Sequence, residues 1–171
     1  MKNVIIGCCL QRAYFNKNGM HYLGENAEIL KVRLQDYFRK VKDGNHIIFF
    51  LRELHRANDT FFRTTRSGAL VGTPDIEIIE AFKPYPKFII NISTYSGFYM
   101  TALESELHKI KPQKIFMVGV ETHTSVLFTA EELRNRSYDV VVEEALVASG
   151  DGYMHAAGIN LLCNSLSVDV L

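Results

Sequence analysis

The side chains best suited to nucleophilic chemistry are Cys9, at the end of an apolar run, and Ser125, two residues beyond His123. A thiolate is a strong nucleophile, and a hydroxyl becomes one only beside a base, so either group would need a partner such as His123. Both also have plainer readings. Free cysteine is among the most buried residue types. A serine at a helix start serves as an N-cap, and the N–H groups beside it also suit an anion. Glu121 and His123 fit a strand end or a pocket rim. Glu53-x-His55 supplies two metal donors, but two donors make a poor site and no matching third histidine follows in the next loop. No metal and no cofactor is therefore expected. Arg63 and Arg66 can reach an anionic ligand or belong to a solvated loop. Phe49-Phe50 and Phe61-Phe62 suit a core or subunit interface better than a stacking platform.

These residues must be held by the elements around them. Short β-branched runs at 3–10, 46–54, 87–93, 114–120, 139–146 and 167–171 predict strands. Amphipathic segments separate them. Residues 26–42 put Leu30, Leu34, Tyr37, Phe38 and Val41 on one face, and Gly44 stops the helix. Residues 97–109 put Tyr99, Leu103 and Leu107 inward, with Ile110 just beyond, and Lys111-Pro112 ends that helix. Further helices are expected over 123–136 and 153–163, and 55–75 is read as irregular. Near-continuous apolar strands alternating with helices predict an α/β fold, a three-layer αβα sandwich around a mostly parallel six-stranded, Rossmann-like sheet. No repeat or linker interrupts it, so residues 1–171 are expected to form one domain. In such sheets ligands bind beyond the carboxyl ends of the strands. That selects residues 8–11, 52–55, 92–95 and 121–125.

Composition narrows the function classes. The 171 residues carry 19 Lys plus Arg against 19 Asp plus Glu, a formal balance that argues against a nucleic-acid or anionic-membrane binder. Three cysteines, two of them adjacent (Cys8, Cys9 and Cys163), do not make a disulfide framework and point to reduced thiols. The first apolar run is about seven residues with no cleavage pattern behind it, and no stretch approaches the roughly 18 apolar residues of a membrane span. A cytoplasmic location is expected.

Four segments in register carry a family resemblance: CLQRAYF at 9–15, GTPDIEIIEAFKP at 72–84, TYSGF at 94–98 and GVETHTSVLFTAEELRNRSYDVVVEEALVAS at 119–149. Together they resemble the isochorismatase-like, or cysteine hydrolase, superfamily, which includes nicotinamidases, N-carbamoylsarcosine amidases and isochorismatases. The resemblance implies that family's hydrolase fold. It also implies an Asp, a Lys and a Cys acting together, the carboxylate shuttling a proton while the Lys holds thiolate and carboxylate charged. The positions that match are Cys9 for the Asp, Ile92 for the Lys and Ser125 for the Cys. A pocket lined by Gln11, Phe15, Tyr95, Val120, Glu121, His123 and Thr124 is implied with them. The Val120–Glu121 peptide is expected to be cis, as is common in the family. Glu53-x-His55 is similar to the Asp-x-His metal element of nicotinamidases.

No register slip restores the triad. Residues 114–138 contain no cysteine, and residues 1–15 contain no Asp or Glu. Lys87 lies five residues before Ile92, roughly 17 Å along an extended strand. Some isochorismatases lack the Cys but keep the Asp as an acid, which is absent here too. Losing members of a catalytic unit removes nearly all its rate advantage. The expectation is a homologue inactive in the usual hydrolase reaction, keeping a pocket for an unknown small molecule and forming a homo-oligomer. The alternative is a hydrolase of C–N or related bonds, rebuilt around Cys9 or Ser125.

Overall fold

The computed structural model describes residues 2–65 and 68–171. Its sheet contains β1 (Asn3–Cys8), β2 (His46–Glu53), β3 (Phe88–Ile92), β4 (Ile115–Val120), β5 (Val140–Ala148) and β6 (Asp169–Val170). The strand order is β3-β2-β1-β4-β5-β6 and every neighbouring pair is parallel. The chain therefore steps outward from β1 to β3, returns to β4 on the other side of β1, and steps outward again. The crevice beyond β1 and β4 is the switch point of the sheet, where an α/β fold opens its ligand site.

The strands are almost wholly apolar because helices cover the sheet. Val4, Ile5, Ile6, Phe49, Phe50, Leu51, Ile115 and Met117 are all buried. Helix α1 (Arg12–Phe15) is one short turn after β1. In α2 (Glu25–Val41) the buried residues Ala27, Leu30, Leu34 and Phe38 repeat at three and four, the spacing of one helical face. Glu25 and Glu28 in its first turn and Arg39 and Lys40 in its last complement the helix dipole. Phe38 packs on Phe50, Phe82 and Tyr85, with ring centroids 5.1–5.6 Å apart. α3 (Thr60–Thr65) lies inside the stretch expected to be irregular. α4 (Leu103–Ile110), α5 (Leu127–Asn135) and α6 (Gly152–Asn164) complete the helices, and the Asp151 side chain caps α6 by accepting from Met154 N–H at 2.9 Å.

Three expectations need correction. The helix expected from Gly97 begins only at Leu103, and Tyr99 is 56% exposed rather than inward. Residues 94–101 form turns instead, held by a Gly97 N–H bond to Thr129 Oγ1 at 3.0 Å. The segment after β4 is first a π-helical turn, Thr122–Val126, and only then α5. β5 also runs two residues further than expected and bulges, because its pairing with β4 shifts between Met117 and Gly119. At that shift Gly119 has φ +106°, and a Cβ there would lie 2.3 Å from the Cys8 carbonyl oxygen. No helix among the described residues is long and apolar enough to cross a membrane.

Candidate functional site

The sheet brings two of the three triad-matching positions into contact. Cys9 follows directly on β1 in a left-handed conformation, φ +50°. Its thiol donates toward Ser125 Oγ at 3.5 Å. Ile92 ends β3 two strands away, where its carbonyl accepts from Leu54 N–H at 2.9 Å. All three side chains are buried, at 0% (Cys9), 2% (Ile92) and 4% (Ser125) exposure. Lys87 stays at the opposite end of β3, its ammonium 5.4 Å from the Phe88 ring.

Electrostatics hold the Cys9 thiol neutral. Burial pushes its pKa well above the ordinary value, the carboxylates of Glu53 and Glu121 push it further, and only the Ser125 contact opposes them. A thiolate nucleophile needs the reverse, a cation or helix N-terminus close by. Ser125 is no better placed. It sits inside the π-helical turn rather than at an N-cap, since the cap position is Glu121. The N–H groups of Thr124 and Val126 both donate to the Glu121 carbonyl at 3.2 Å, so they are not aimed at an oxyanion. His123 Nδ1 pairs with Ser149 Oγ at 2.9 Å. The Val120–Glu121 peptide is cis, as expected, and Glu121 Oε1 accepts from Gly150 N–H at 3.1 Å. Gly158 lets α6 approach this turn, because a Cβ there would meet His123 backbone at 3.0 Å.

Gln11 is wholly buried and acts as a clamp. Its Oε1 accepts from Glu53 N–H at 2.6 Å, and its Nε2 donates to the carbonyls of Glu53 at 2.8 Å and Ile76 at 3.2 Å. It thereby fixes the end of β2 against the Pro74–Ile76 turn instead of presenting an amide to a ligand. Phe15 is buried and packs edge-on against Phe82 at 6.0 Å. Tyr95 is half-buried, 4.9 Å from the Phe61 ring and 5.8 Å from the Phe128 ring.

A second cluster adjoins the first, and its extent was not visible in the sequence. Glu53 is buried, with Tyr14 Oη donating to Oε2 at 2.5 Å and His55 Nε2 lying 2.8 Å from Oε1. His55 Nδ1 faces the Asp59 carboxylate at 3.5 Å, too poorly aligned for a hydrogen bond. Burial alone would lower the His55 pKa, but Glu53 and Asp59 together raise it above the ordinary value. Phe61 and Phe62 flank the ring at 6.1 and 5.7 Å. This donor set does not fit the metal element of nicotinamidases. Both ring nitrogens are turned to carboxylates rather than to a common centre, and among the described residues no group of three donors converges. Arg63 is exposed on α3, and Arg66 lies outside the described residues.

Tyr14 sits three residues beyond Gln11, so its position at the strand end was open to inspection. Ser149 and His155 gave no such signal. They meet His123 and Thr122 only because β5 and α6 return beside β4, and Thr122 Oγ1 lies 2.9 Å from His155 Nδ1.

A sequence profile of the Isochorismatase domain family matches residues 5–168. The chain belongs to this family. Among family structures it is similar to the nicotinamidase of Bacillus subtilis, with a TM-score of 0.88 at 22% identity over 99% of both chains. It is also similar to N-carbamoylsarcosine amidase from Thermoplasma acidophilum, with a TM-score of 0.86 at 18% identity over 99% of this chain and 95% of that one. At these identities the likeness is one of fold. In sequence it is 29% identical over 151 residues to a 3-dehydroquinate dehydratase of Clostridium botulinum, covering 85% of this chain and 93% of that protein.

Proposed function

We propose that this chain is a family member in which the Asp/Lys/Cys hydrolase reaction has been given up while the fold is kept for small-molecule binding in a homo-oligomer. The observation that carries the reading is the Cys9–Ser125 pair: two neutral, buried groups 3.5 Å apart, with the charges of Glu53 and Glu121 acting on the thiol and apolar Ile92 buried at the end of β3. An amide hydrolase of this family needs a thiolate with a cation beside it and a carboxylate to move the proton. Here a thiol stands in the carboxylate's position, a hydrocarbon in the cation's, and a hydroxyl in the nucleophile's. A neutral serine hydroxyl without an adjacent base is a weak nucleophile. The base it would need within about 3 Å is not among its described partners, since the one side-chain hydrogen bond described for Ser125 is the contact from Cys9.

Purified protein assayed with nicotinamide, N-carbamoylsarcosine, isochorismate and 3-dehydroquinate is expected to give no turnover above background. Turnover of any of them that Ser125→Ala or Cys9→Ala abolishes would overturn the reading and establish the rebuilt hydrolase in its place.

A further inference from the structure

An open groove lies away from the Cys9–Ser125 pair. It is a groove of about 600 Å³ between α2, the outer half of β5 and the start of α6. That volume is in the range of small-molecule sites. β6 pairs only with Val141 and Val142, and the groove lies along the following residues of β5.

Its lining combines an apolar floor with two opposite charges. Leu30 and Val147 are buried at its base, and Ile29 stands 43% exposed beside them. Arg33 enters from α2, donating to the Ala145 carbonyl at 3.4 Å, and it forms no ion pair among the described residues. Glu144 enters from β5, and its one described ionic neighbour is His155 Nε2 at 3.8 Å. A guanidinium and a carboxylate that share a groove without pairing to each other leave two complementary places to fill. A simple anion would meet Glu144, and a simple cation would meet Arg33. A molecule carrying both charges satisfies both walls, and an aliphatic tail would cover the floor.

The back wall is tied at two points. Asn26 Nδ2 donates to the Ser149 carbonyl at 3.0 Å, tying α2 to the end of β5, and His155 is held from behind by Thr122. We propose that this groove binds a small zwitterion of the aliphatic amino-acid class, its carboxylate on Arg33 and its ammonium on Glu144. The inference uses none of the triad-matching residues, so it stands or falls separately from the proposed loss of hydrolase chemistry.

The test is a titration of the ¹⁵N-labelled protein with L-leucine, read from backbone amide shifts. 4-Methylpentanoate and 3-methylbutylamine serve as probes that each carry one of the two charges. L-leucine is expected to shift the amides of Ser149, Gly150 and Gly152 in a saturable way. Each single-charge probe should bind at least about tenfold more weakly, as should L-leucine to Arg33→Gln and to Glu144→Gln, the loss expected for one charge-assisted contact. Both variants sit on the surface, and their unchanged spectra elsewhere report intact folding. No shift at millimolar L-leucine, shifts confined to residues around Cys9 and Ser125, or equal binding by both variants would overturn the proposal. So would sedimentation showing that a second copy covers the groove and is released by Arg33→Gln.

Discussion

Around Glu53 both carboxylate oxygens have hydrogen-bond partners, whereas the one side-chain hydrogen bond described for Cys9 goes to a neutral hydroxyl. Tyr14 and His55 occupy the two oxygens of Glu53, Gln11 locks its backbone, and Asp59 backs the imidazole. Cys9, on the next strand, has Ser125 at 3.5 Å and the charges of two carboxylates that disfavour its ionised form. Both clusters are buried at the carboxyl ends of adjacent strands. The difference follows from how burial treats charge. An ion taken out of water persists only where hydrogen bonds and opposite charge replace the solvent; without them the group stays neutral. The first cluster supplies those hydrogen bonds to Glu53, and its carboxylates raise the pKa of the buried His55 ring. On the proposed reading, the second has replaced its charges with groups that burial tolerates.

The largest effect that breaks this comparison is expected from Glu53→Ala. It leaves the Tyr14 hydroxyl and the His55 ring buried without their main partner, and should cost about 3–5 kcal/mol in urea unfolding. Cys9→Ala removes one sulfur from an apolar setting and should cost only about 1 kcal/mol. Similar losses at the two positions would show that the clusters do not differ in kind.

Next in size is Ile92→Lys, which places an unpaired cation in an apolar wall and should destabilise the chain by roughly 3 kcal/mol. Adding Cys9→Asp should recover roughly 1–3 kcal/mol of that, the coupling of two groups that share one cleft. Strict additivity would place Ile92 and Cys9 in separate environments.

The smallest effect is a pH slope. Because Glu53 and Asp59 raise the folded pKa of His55 above its ordinary value of about 6.5, the protonated ring binds more tightly in the folded chain. That contribution is complete below about pH 6.5 and fades as pH rises through the raised pKa. Unfolding midpoints should therefore fall over that window in the parent chain, and His55→Gln should remove this part of the slope. A slope of opposite sign would mean that burial, not the carboxylates, governs the ring.

Much of this was legible in the sequence because it rests on periodicity and on spacing along the chain. The six strands, α2 and the facing of Cys9 with residue 125 all follow from apolar runs and motif register. The remainder depends on contacts between distant segments. Nothing near Gln11 in sequence indicates that its amide clamps Glu53 and Ile76, and His123 gives no hint of Ser149. The π-helical turn at Thr122–Val126 keeps the apolar spacing of a helix, so a pattern of side chains cannot distinguish it from the first turn of α5. Tyr99 matches a helical face but lies in turns, where the Thr101 hydroxyl takes the Gly97 carbonyl and the Ser96 hydroxyl takes the Phe98 N–H.

The central claim is that the positions of the hydrolase triad remain in place while their chemistry has changed. The most direct measurement combines Cys9→Asp, Ile92→Lys and Ser125→Cys and follows alkylation at position 125 by iodoacetamide as a function of pH, read by peptide mass spectrometry. The account predicts a folded protein whose introduced thiol reacts with a midpoint below about pH 7, as a thiolate beside a lysine does. A folded variant whose thiol at 125 reacts only near the ordinary cysteine value of about 8.5, no differently from Ser125→Cys alone, would contradict it.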